Sequence, residues 1–192
     1  MKINSELHNP IESKVAQEDL EILERIQDRV LWLSTRIVDY ANNDRPNVDG
    51  LKVGGHQASS ASLVSVLTAL YFNYLDSEDR ISIKPHASPV FHAIQYLLGN
   101  LDESYLKKLR EAGGLQSYPS RTKDPDTVDF STGSVGLGAV APLFAAVTRQ
   151  YVDSHFGARP RSRFISVIGD AELDEGNIWE ALADPAATNL GN

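Results

Sequence analysis

The stretch FISVIGDAELDEGN, from Phe164 to Asn177, decides the fold class. It begins with an apolar run that a single serine interrupts, and the run ends at Gly169. A short apolar run of this kind, bounded by turn signals, is typical of a buried parallel strand. Four carboxylates follow at positions 170, 172, 174 and 175. The sequence therefore predicts a strand whose carboxyl end opens onto a strongly negative turn.

Helical patterns surround this strand along most of the chain. Helices are predicted over residues 17–42, 53–75, 88–99, 102–112, 139–152 and 175–184, the second of them buried because it is apolar or small on nearly every side. Helices that alternate with few short strands indicate an α/β fold, with helices flanking a parallel sheet. The polar residues 1–16 are expected to form a flexible segment, and residues 17–192 one domain.

Composition and charge exclude several classes of protein. The formal net charge of −8 disfavours binding to nucleic acid through a basic face. Cysteine is absent, which excludes disulfides and thiolate chemistry. Residues 53–75 carry no charge, but they contain too many polar side chains for a membrane span. Because the N-terminus lacks the apolar core of a secretory signal, we expect a soluble, cytoplasmic protein.

The acidic turn is the first candidate site. Ligands of open α/β sheets bind beside the carboxyl ends of strands, and Asp170 is the first charged residue after such an end. Mg²⁺ takes oxygen ligands and commonly pairs one or two carboxylates with phosphates. A solvated loop is the alternative, since most charged residues are simply exposed. An EF-hand is excluded because Ala181 stands where its bidentate glutamate is required.

A glycine-rich turn, STGSVGLG, precedes the helix over residues 139–152. Gly133, Gly136 and Gly138 would let backbone N–H groups approach a ligand, and a helix N-terminus favours phosphate. GLGAVA also fits the dinucleotide pattern of a nucleotide-binding oxidoreductase. That pattern requires a buried strand before it, and the preceding residues are too polar for one. An ordinary tight turn is the other alternative.

Two histidines stand at turns that introduce helices, His56 after a glycine pair and His86 after a proline. Histidine titrates near neutral pH and can carry a proton or donate a hydrogen bond to a developing charge. A purely structural histidine is the alternative at each position. The other histidines, His8, His92 and His155, fit the structural interpretation.

Five segments, GGHQASSAS, KPHASPVFHA, SYPS, STGSVGLG and GDAELDE, together resemble the diphosphate-binding domain of the transketolase superfamily of thiamine diphosphate enzymes. They occur in the order seen in that superfamily, and the resemblance covers residues 20–192. Most of these motifs look closest to the homodimeric pyruvate dehydrogenase E1 component, whereas VDFSTGSVGLG is equally similar to transketolase. The resemblance implies a thiamine diphosphate-binding fold, of which the chain would be a truncated N-terminal part.

The resemblance also implies a role for each candidate residue. Asp170 would ligate Mg²⁺ or Ca²⁺ bound to the cofactor's diphosphate, and His56 and His86 would be catalytic residues facing the thiazolium and the substrate. Two turns would line the cofactor: Ser134, Val135 and Gly136 in one, and Gly169, Asp170, Ala171 and Glu172 in the other. Ala171 replaces the glycine usual in the family. The family's second metal ligand, an asparagine, and its activating glutamate are expected beyond Asn192.

The implied function is that of a thiamine diphosphate-dependent 2-oxo acid dehydrogenase E1 enzyme, which cleaves a C–C bond next to a carbonyl. The alternatives are a transketolase that transfers two-carbon units between sugar phosphates, a nucleotide-binding oxidoreductase, and a cofactor-free binding or assembly module. The implied partners are a small-molecule substrate (a 2-oxo acid or a ketose phosphate), a second copy of the chain in a homodimer, and an E2 acyltransferase. The isolated chain is expected to be inactive.

Overall fold

A computed structural model describes residues 17–191, and helices dominate it. The predicted flexible segment, residues 1–16, and Asn192 lie outside the described residues. The α-helices are α1 (Gln17–Asp39), α2 (Gln57–Ala61), α3 (Val64–Ala69), α4 (Ser88–Leu97), α5 (Leu137–Phe156) and α6 (Gly176–Ala183). Single π-helical turns extend α1 and α3, over Tyr40–Asp44 and Leu70–Tyr74. Short 3-10 turns cover Pro85–Ala87, Glu103–Lys107, Asp170–Asp174 and Pro185–Asn189.

The two strands, β1 (Arg80–Ser82) and β2 (Phe164–Ser166), pair in parallel with Ile81 opposite Ile165. This pairing confirms the predicted α/β fold with a parallel sheet. Parallel neighbours place their carboxyl ends at the same edge of a sheet. The segments that follow β1 and β2 are therefore neighbours in space.

Helix α4 lies in the core, where every residue from Ser88 to Gln95 is buried. One apolar cluster joins it to α1, α3 and β1 through Val30, Leu67 and Ile81. The apolar faces of α1 and α4 account for this arrangement. An apolar helix face is stable only when other elements cover it. In residues 17–191, none of the helices combines the length and the apolar character needed to cross a membrane.

The prediction of a fully buried helix over residues 53–75 is wrong. The helical segment begins at Gln57, is interrupted at Ser62, and leaves Val66 50% exposed. Only the face that carries Val64 and Leu67 packs into the core. The sequence predicted burial because this segment carries no charge. Its small and uncharged polar residues show no periodicity that would distinguish a buried face from an exposed one.

Two further predictions are corrected in extent. The helix predicted over residues 102–112 is only the 3-10 turn Glu103–Lys107, which the Asp102 carboxylate caps by accepting from Ser104 N at 2.9 Å. The predicted buried strand β2 is half-buried, with Ser166 exposed, because β1 pairs with one of its edges and nothing in the described residues pairs with the other.

An ion pair fixes the amino ends of the two strands. Arg163, just before β2, donates from its backbone N to Asp79 Oδ1 at 2.7 Å and from Nε to Asp79 Oδ2 at 2.9 Å. Burial alone would raise the pKa of Asp79, but hydrogen bonds from Arg163 and from the backbone N of Asp76 lower it to about 2. The guanidinium also lies over the Tyr74 ring at 4.0 Å. This clamp, formed by Asp79 and Arg163, fixes the register of the two strands at their amino ends. Their carboxyl ends are therefore aligned as well.

Candidate functional site

The candidate site lies at the carboxyl ends of β1 and β2. Strand β1 continues through Lys84 into the 3-10 turn that carries His86, and β2 continues to Gly169 and the acidic 3-10 turn. The two segments touch, since a Cβ placed on Gly169 would lie 3.0 Å from Lys84 Cε. Two regions far apart in sequence thus share one edge of the sheet, as the sequence predicts for ligand sites of α/β folds.

Glu172 closes the acidic turn. The Gly169 backbone N donates to Glu172 Oε2 at 2.8 Å, and the Glu172 backbone N donates to the Gly169 carbonyl at 3.1 Å. Burial raises the pKa of Glu172, while the bond from Gly169 and the charge of Lys84 oppose that rise. Sequence reasoning placed Glu172 in the cofactor-lining turn without predicting this side-chain hydrogen bond, although its spacing from Gly169 is that of a capping box.

Asp170 and Ala171 are exposed on the outside of this turn. The carboxylate of Asp170 is therefore accessible to a cation. Asp170 belongs to no group of three converging metal-binding side chains within residues 17–191. Its role as a metal ligand stays a prediction.

The glycine-rich turn packs against the acidic turn through α6. Asn177 Nδ2 donates to the Val135 carbonyl at 2.9 Å. Gly136 has a φ of +79°, and a Cβ there would overlap the Asn177 side chain and lie 3.0 Å from Ile178 Cγ1. A Cβ on Gly138 would lie 2.9 Å from Ser82 Oγ at the end of β1. These two glycines are required by contacts within the chain itself.

The fold does not support a dinucleotide-binding site at GLGAVA. Residues 116–136, which precede α5, contain no strand. The pyrophosphate cradle of that pattern depends on a buried strand that leads directly into the glycine turn. The nucleotide-binding oxidoreductase is therefore not supported by the geometry.

The two predicted catalytic histidines lie together. The ring centroids of His56 and His86 are 4.3 Å apart. The Tyr118 ring lies 5.6 Å from that of His86, and Ser134 Oγ donates to Tyr118 Oη at 3.4 Å. The contacts thus lead from His56 to the predicted cofactor-binding turn at Ser134.

The surroundings of both histidines favour the neutral form of the ring. Burial lowers the pKa of His56, and the charges of His86, Arg110 and Lys84 lower it further. Burial likewise lowers the pKa of His86, together with the charges of Lys84 and Arg110. A neutral imidazole can donate one hydrogen bond and accept one proton, which is the chemistry expected beside a reacting carbonyl.

Sequence reasoning missed four residues that shape this site, namely Lys84, Arg110, Tyr118 and Asn177. Arg110 Nη1 donates to the Val53 carbonyl at 2.8 Å and so holds the glycine turn before His56. Tyr118 lies in the motif SYPS and Lys84 in the motif KPHASPVFHA, so the resemblance contained both without assigning them a role. Nothing local signals Arg110 or Asn177, because their contacts are long-range.

His92 lies in a buried cluster with Asp124 and Asp126, and the structural role expected for this histidine stays a prediction. His92 is fully buried in α4, and its Nδ1 lies 2.6 Å from Asp126 Oδ2. Its Nε2 lies 3.9 Å from Asp124 Oδ1, and Asp124 accepts the backbone N–H groups of Gln116 and Ser120, each at 2.7 Å. One ligand atom from each of His92, Asp124 and Asp126 lies within 4.8 Å of the others, so these three side chains form a group that could hold a metal ion. The cluster anchors the loop that carries Tyr118.

The residues at the carboxyl edge fit a diphosphate with a divalent cation. Gly136 and Gly169 are themselves buried against neighbouring side chains, whereas Asp170 offers an exposed carboxylate and Lys84 adds a positive charge beside Gly169. Hard cations and phosphate oxygens prefer such groups.

Comparisons with known proteins show the family to which the chain belongs. A sequence model of the family described as 1-deoxy-D-xylulose-5-phosphate synthase matches residues 48–190. The pyruvate dehydrogenase E1 components of Pseudomonas aeruginosa and Escherichia coli are each 30% identical, over 91% of this chain and 20% of the relative. Human transketolase is 30% identical over 72% of this chain and 23% of its own length.

The chain thus spans about a fifth to a quarter of the length of these relatives. The family model nevertheless covers most of the chain, and its match includes both turns and both histidines. The chain belongs to the 1-deoxy-D-xylulose-5-phosphate synthase N-terminal family, within the thiamine diphosphate-dependent transketolase superfamily.

Proposed function

We propose that this chain carries the diphosphate end of a thiamine diphosphate site in a 2-oxo acid dehydrogenase of the E1 type. The observation that carries the proposal is the meeting of three segments at one sheet edge: the acidic turn, the glycine-rich turn and the histidine pair. Lys84 contacts Gly169, and Asn177 joins the two turns. The relatives named pyruvate dehydrogenase E1 component support this choice of reaction.

In this proposal two turns hold the cofactor's diphosphate. Asp170 holds Mg²⁺ or Ca²⁺ through its exposed carboxylate, and the backbone from Gly169 to Glu172 lies along the phosphates. Ser134, Val135 and Gly136 line the opposite side. When bound, thiamine diphosphate supplies an electron sink for cleavage of a C–C bond next to a carbonyl.

The histidine pair acts on the substrate side of the same edge. The pKa values of His56 and His86 are lowered, which favours the neutral rings, and a neutral ring can donate an N–H hydrogen bond to a carbonyl oxygen as negative charge develops there. Either can also accept a proton. Tyr118 fixes the orientation of His86 by packing on its ring and connects it to Ser134.

A transketolase is the second candidate function. Human transketolase has the same sequence identity to this chain as the E1 relatives, although its match covers less of the chain. Both reactions need the same electron sink and differ in the carbonyl substrate, a 2-oxo acid or a ketose phosphate. The remaining alternative is a cofactor-free binding or assembly module, which the replacement of the family's glycine by Ala171 keeps open. The absence of cofactor binding would favour it.

Partners and location are proposed on the same basis. Trp179 and Leu182 on α6 are each 57% exposed, and Phe144 on α5 is 40% exposed. Apolar surface of this kind marks an interaction site, and we assign it to a second copy of the chain. An E2 acyltransferase partner and a cytoplasmic location belong to the same proposal.

Calorimetric titration of thiamine diphosphate tests the cofactor site. We expect weak binding that requires Mg²⁺ and that falls by about tenfold or more in Asp170→Ala, since losing a metal ligand removes a charge-assisted contact of roughly 1.5–3 kcal/mol. The matched control is Asp174→Ala, which removes an exposed carboxylate of the same turn. Binding that is unchanged in Asp170→Ala, or absent in the unmodified chain, would refute the proposed site.

A further inference from the structure

The buried cluster of His92, Asp124 and Asp126 has the composition of a metal site. The side chains of all three residues are 0% exposed. Each offers one ligand atom, and these atoms all lie within 4.8 Å of one another. Among residues 17–191, no other group of three such side chains converges in this way. Folding thus brings an imidazole from α4 and two carboxylates from a distant loop to one buried position.

The hydrogen bonds of this cluster leave two polar atoms without a partner. Nδ1 of His92 lies 2.6 Å from Asp126 Oδ2, but His92 Nε2 and Asp126 Oδ1 are buried and make no hydrogen bond within residues 17–191. Nε2 faces Asp124 Oδ1 at 3.9 Å, which is too far for a hydrogen bond. Buried polar atoms are normally paired, and an unpaired one requires an explanation such as an ion. The cluster thus presents a nitrogen and an oxygen to a ligand.

The charge of the cluster favours a cation. Two carboxylates lie beside one imidazole, and in the described part of the chain neither carboxylate has a lysine or arginine nitrogen within 4.0 Å. Buried charges are normally paired or coordinate a metal. The backbone N–H groups of Gln116 and Ser120 each donate to Asp124 at 2.7 Å, which orients this carboxylate without neutralising it. A divalent cation would neutralise both carboxylates at once.

We propose that His92, Asp124 and Asp126 bind a divalent transition-metal ion, and that zinc fits this ligand set best. Zinc accepts imidazole nitrogen together with carboxylate oxygen, whereas Mg²⁺ and Ca²⁺ take oxygen ligands. Two ligand atoms of a tetrahedral zinc ion lie about 3.3 Å apart at its usual bond lengths. The 3.9 Å between His92 Nε2 and Asp124 Oδ1 therefore requires a side-chain adjustment of well under one bond length.

The proposed ion lies away from the proposed cofactor site. Asp126 and Gln95 line an open cleft of about 680 Å³ together with Asp79 and Arg80, at the amino end of β1. The cofactor is proposed to bind at the carboxyl ends of the strands. The cleft gives an ion and a water ligand a route from solvent. This inference goes beyond the proposed function and does not depend on it.

A bound ion would act as a structural tie. Asp124 accepts hydrogen bonds from Gln116 and Ser120, which lie on either side of Tyr118 in sequence. An ion shared by Asp124 and His92 would therefore fix this loop to the buried helix α4. Metal bound only in the folded state adds its binding free energy to the stability of that state.

The test titrates zinc into the chelator-treated chain in competition with a chromophoric chelator. We expect one tight site per chain that a large excess of Mg²⁺ does not displace. Asp124→Asn and Asp126→Asn should each weaken zinc binding by at least about tenfold, since even partners outside the coordination sphere contribute roughly 10–100-fold. The matched control is Asp49→Asn, which removes an exposed carboxylate and should leave zinc affinity unchanged.

His56→Asn is the discriminating variant. The rings of His56 and His86 lie 4.3 Å apart and are the other place where zinc could find two close imidazoles. His56→Asn should retain the tight zinc site. Zinc binding that survives in Asp124→Asn and Asp126→Asn but disappears in His56→Asn would overturn the inference, and so would failure of the unmodified chain to bind zinc.

A second readout needs no variant and so is independent of whether each variant folds. Zinc should change the imidazole NMR signals of His92 in the unmodified chain and leave those of the exposed His155 unchanged. It should also raise the urea concentration at the midpoint of unfolding. A zinc-induced change at His56 or His155 with none at His92 would place the ion elsewhere and refute the proposal.

Discussion

The imidazole rings of His56 and His86 lie 4.3 Å apart at an interplanar angle of 38°, although one introduces α2 and the other precedes α4. Two imidazoles this close cannot both become protonated without repulsion, and Lys84 and Arg110 add further positive charge. The surroundings of the pair therefore favour the neutral form of both rings.

The first prediction concerns the titration of this pair. Burial and the neighbouring cations place both pKa values below 6.5, the usual value for histidine. Below pH 6.5 the unfolded chain binds more protons than the folded chain, so the free energy of unfolding should fall as the pH drops through that range. NMR titration of the imidazole carbons measures the pKa values, and urea unfolding at pH 5.5 and 7.5 measures the stability.

The control for this prediction uses histidine variants. Replacing both His56 and His86 with Asn should reduce the loss of stability between pH 7.5 and 5.5. His155→Asn should leave it unchanged, because His155 is exposed on α5. Histidine pKa values at or above 6.5 for both members of the pair would contradict the expected neutral state.

The second prediction compares two glycines with the same backbone conformation. Gly136 and Gly99 both have a φ of +79°, but a Cβ on Gly99 meets nothing within 4 Å whereas one on Gly136 overlaps Asn177. Gly99→Ala should lower the free energy of unfolding by about 1 kcal/mol, the cost of left-handed backbone for alanine. Gly136→Ala should lower it by roughly 1–3 kcal/mol more, because of overpacking. Equal losses by urea unfolding would show that the Asn177 contact is unimportant.

Patterns that are local in sequence predicted much of this fold. Helix α1 follows from apolar residues at three- and four-residue intervals, and the position of β2 from the run that ends at Gly169. The sequence did not predict how deeply each element is buried, because burial depends on which neighbours cover that element. Val66 and Ser166 are exposed for that reason, although their segments are rich in apolar residues.

The sequence predicted the separate motifs of the candidate site but not how they are arranged in space. Glycines, carboxylates and histidines each carry a recognisable chemistry, and the resemblance placed them in one site. A lysine such as Lys84 has no local signature, and its importance depends on β1 lying beside β2. The same holds for His92, whose partner Asp126 is distant in sequence and comes close only through folding.

The third prediction concerns this buried pair of His92 and Asp126. Asp126→Ala should lower the free energy of unfolding by about 3 kcal/mol, because it leaves His92 buried without its hydrogen-bond partner. Asp49→Ala, in an exposed turn, should change it by no more than about 0.5 kcal/mol. Urea unfolding compares the two, and a loss in Asp126→Ala no larger than in Asp49→Ala would refute the anchoring role.

The last prediction concerns the clamp at the amino ends of the strands, where Arg163 contacts both Asp79 and Asp76. The side chain of Asp79 is 2% exposed and that of Asp76 is 82% exposed, so the two carboxylates form a matched comparison. Asp79→Asn should lower the free energy of unfolding by about 2–3 kcal/mol, since it removes the charged acceptor of a buried pair. Asp76→Asn should cost less than about 0.5 kcal/mol, as exposed ion pairs contribute little.

The pH dependence of the clamp separates charge from packing. The pKa of Asp79 is lowered to about 2, so its contribution is fully present above the usual carboxyl value and is lost as the pH falls towards 2. The difference in unfolding free energy between the unmodified chain and Asp79→Asn should therefore be constant from pH 5 to 7 and shrink below pH 4. A difference that persists unchanged to pH 2.5 would show that Asp79 acts through hydrogen bonding and packing and not through its charge.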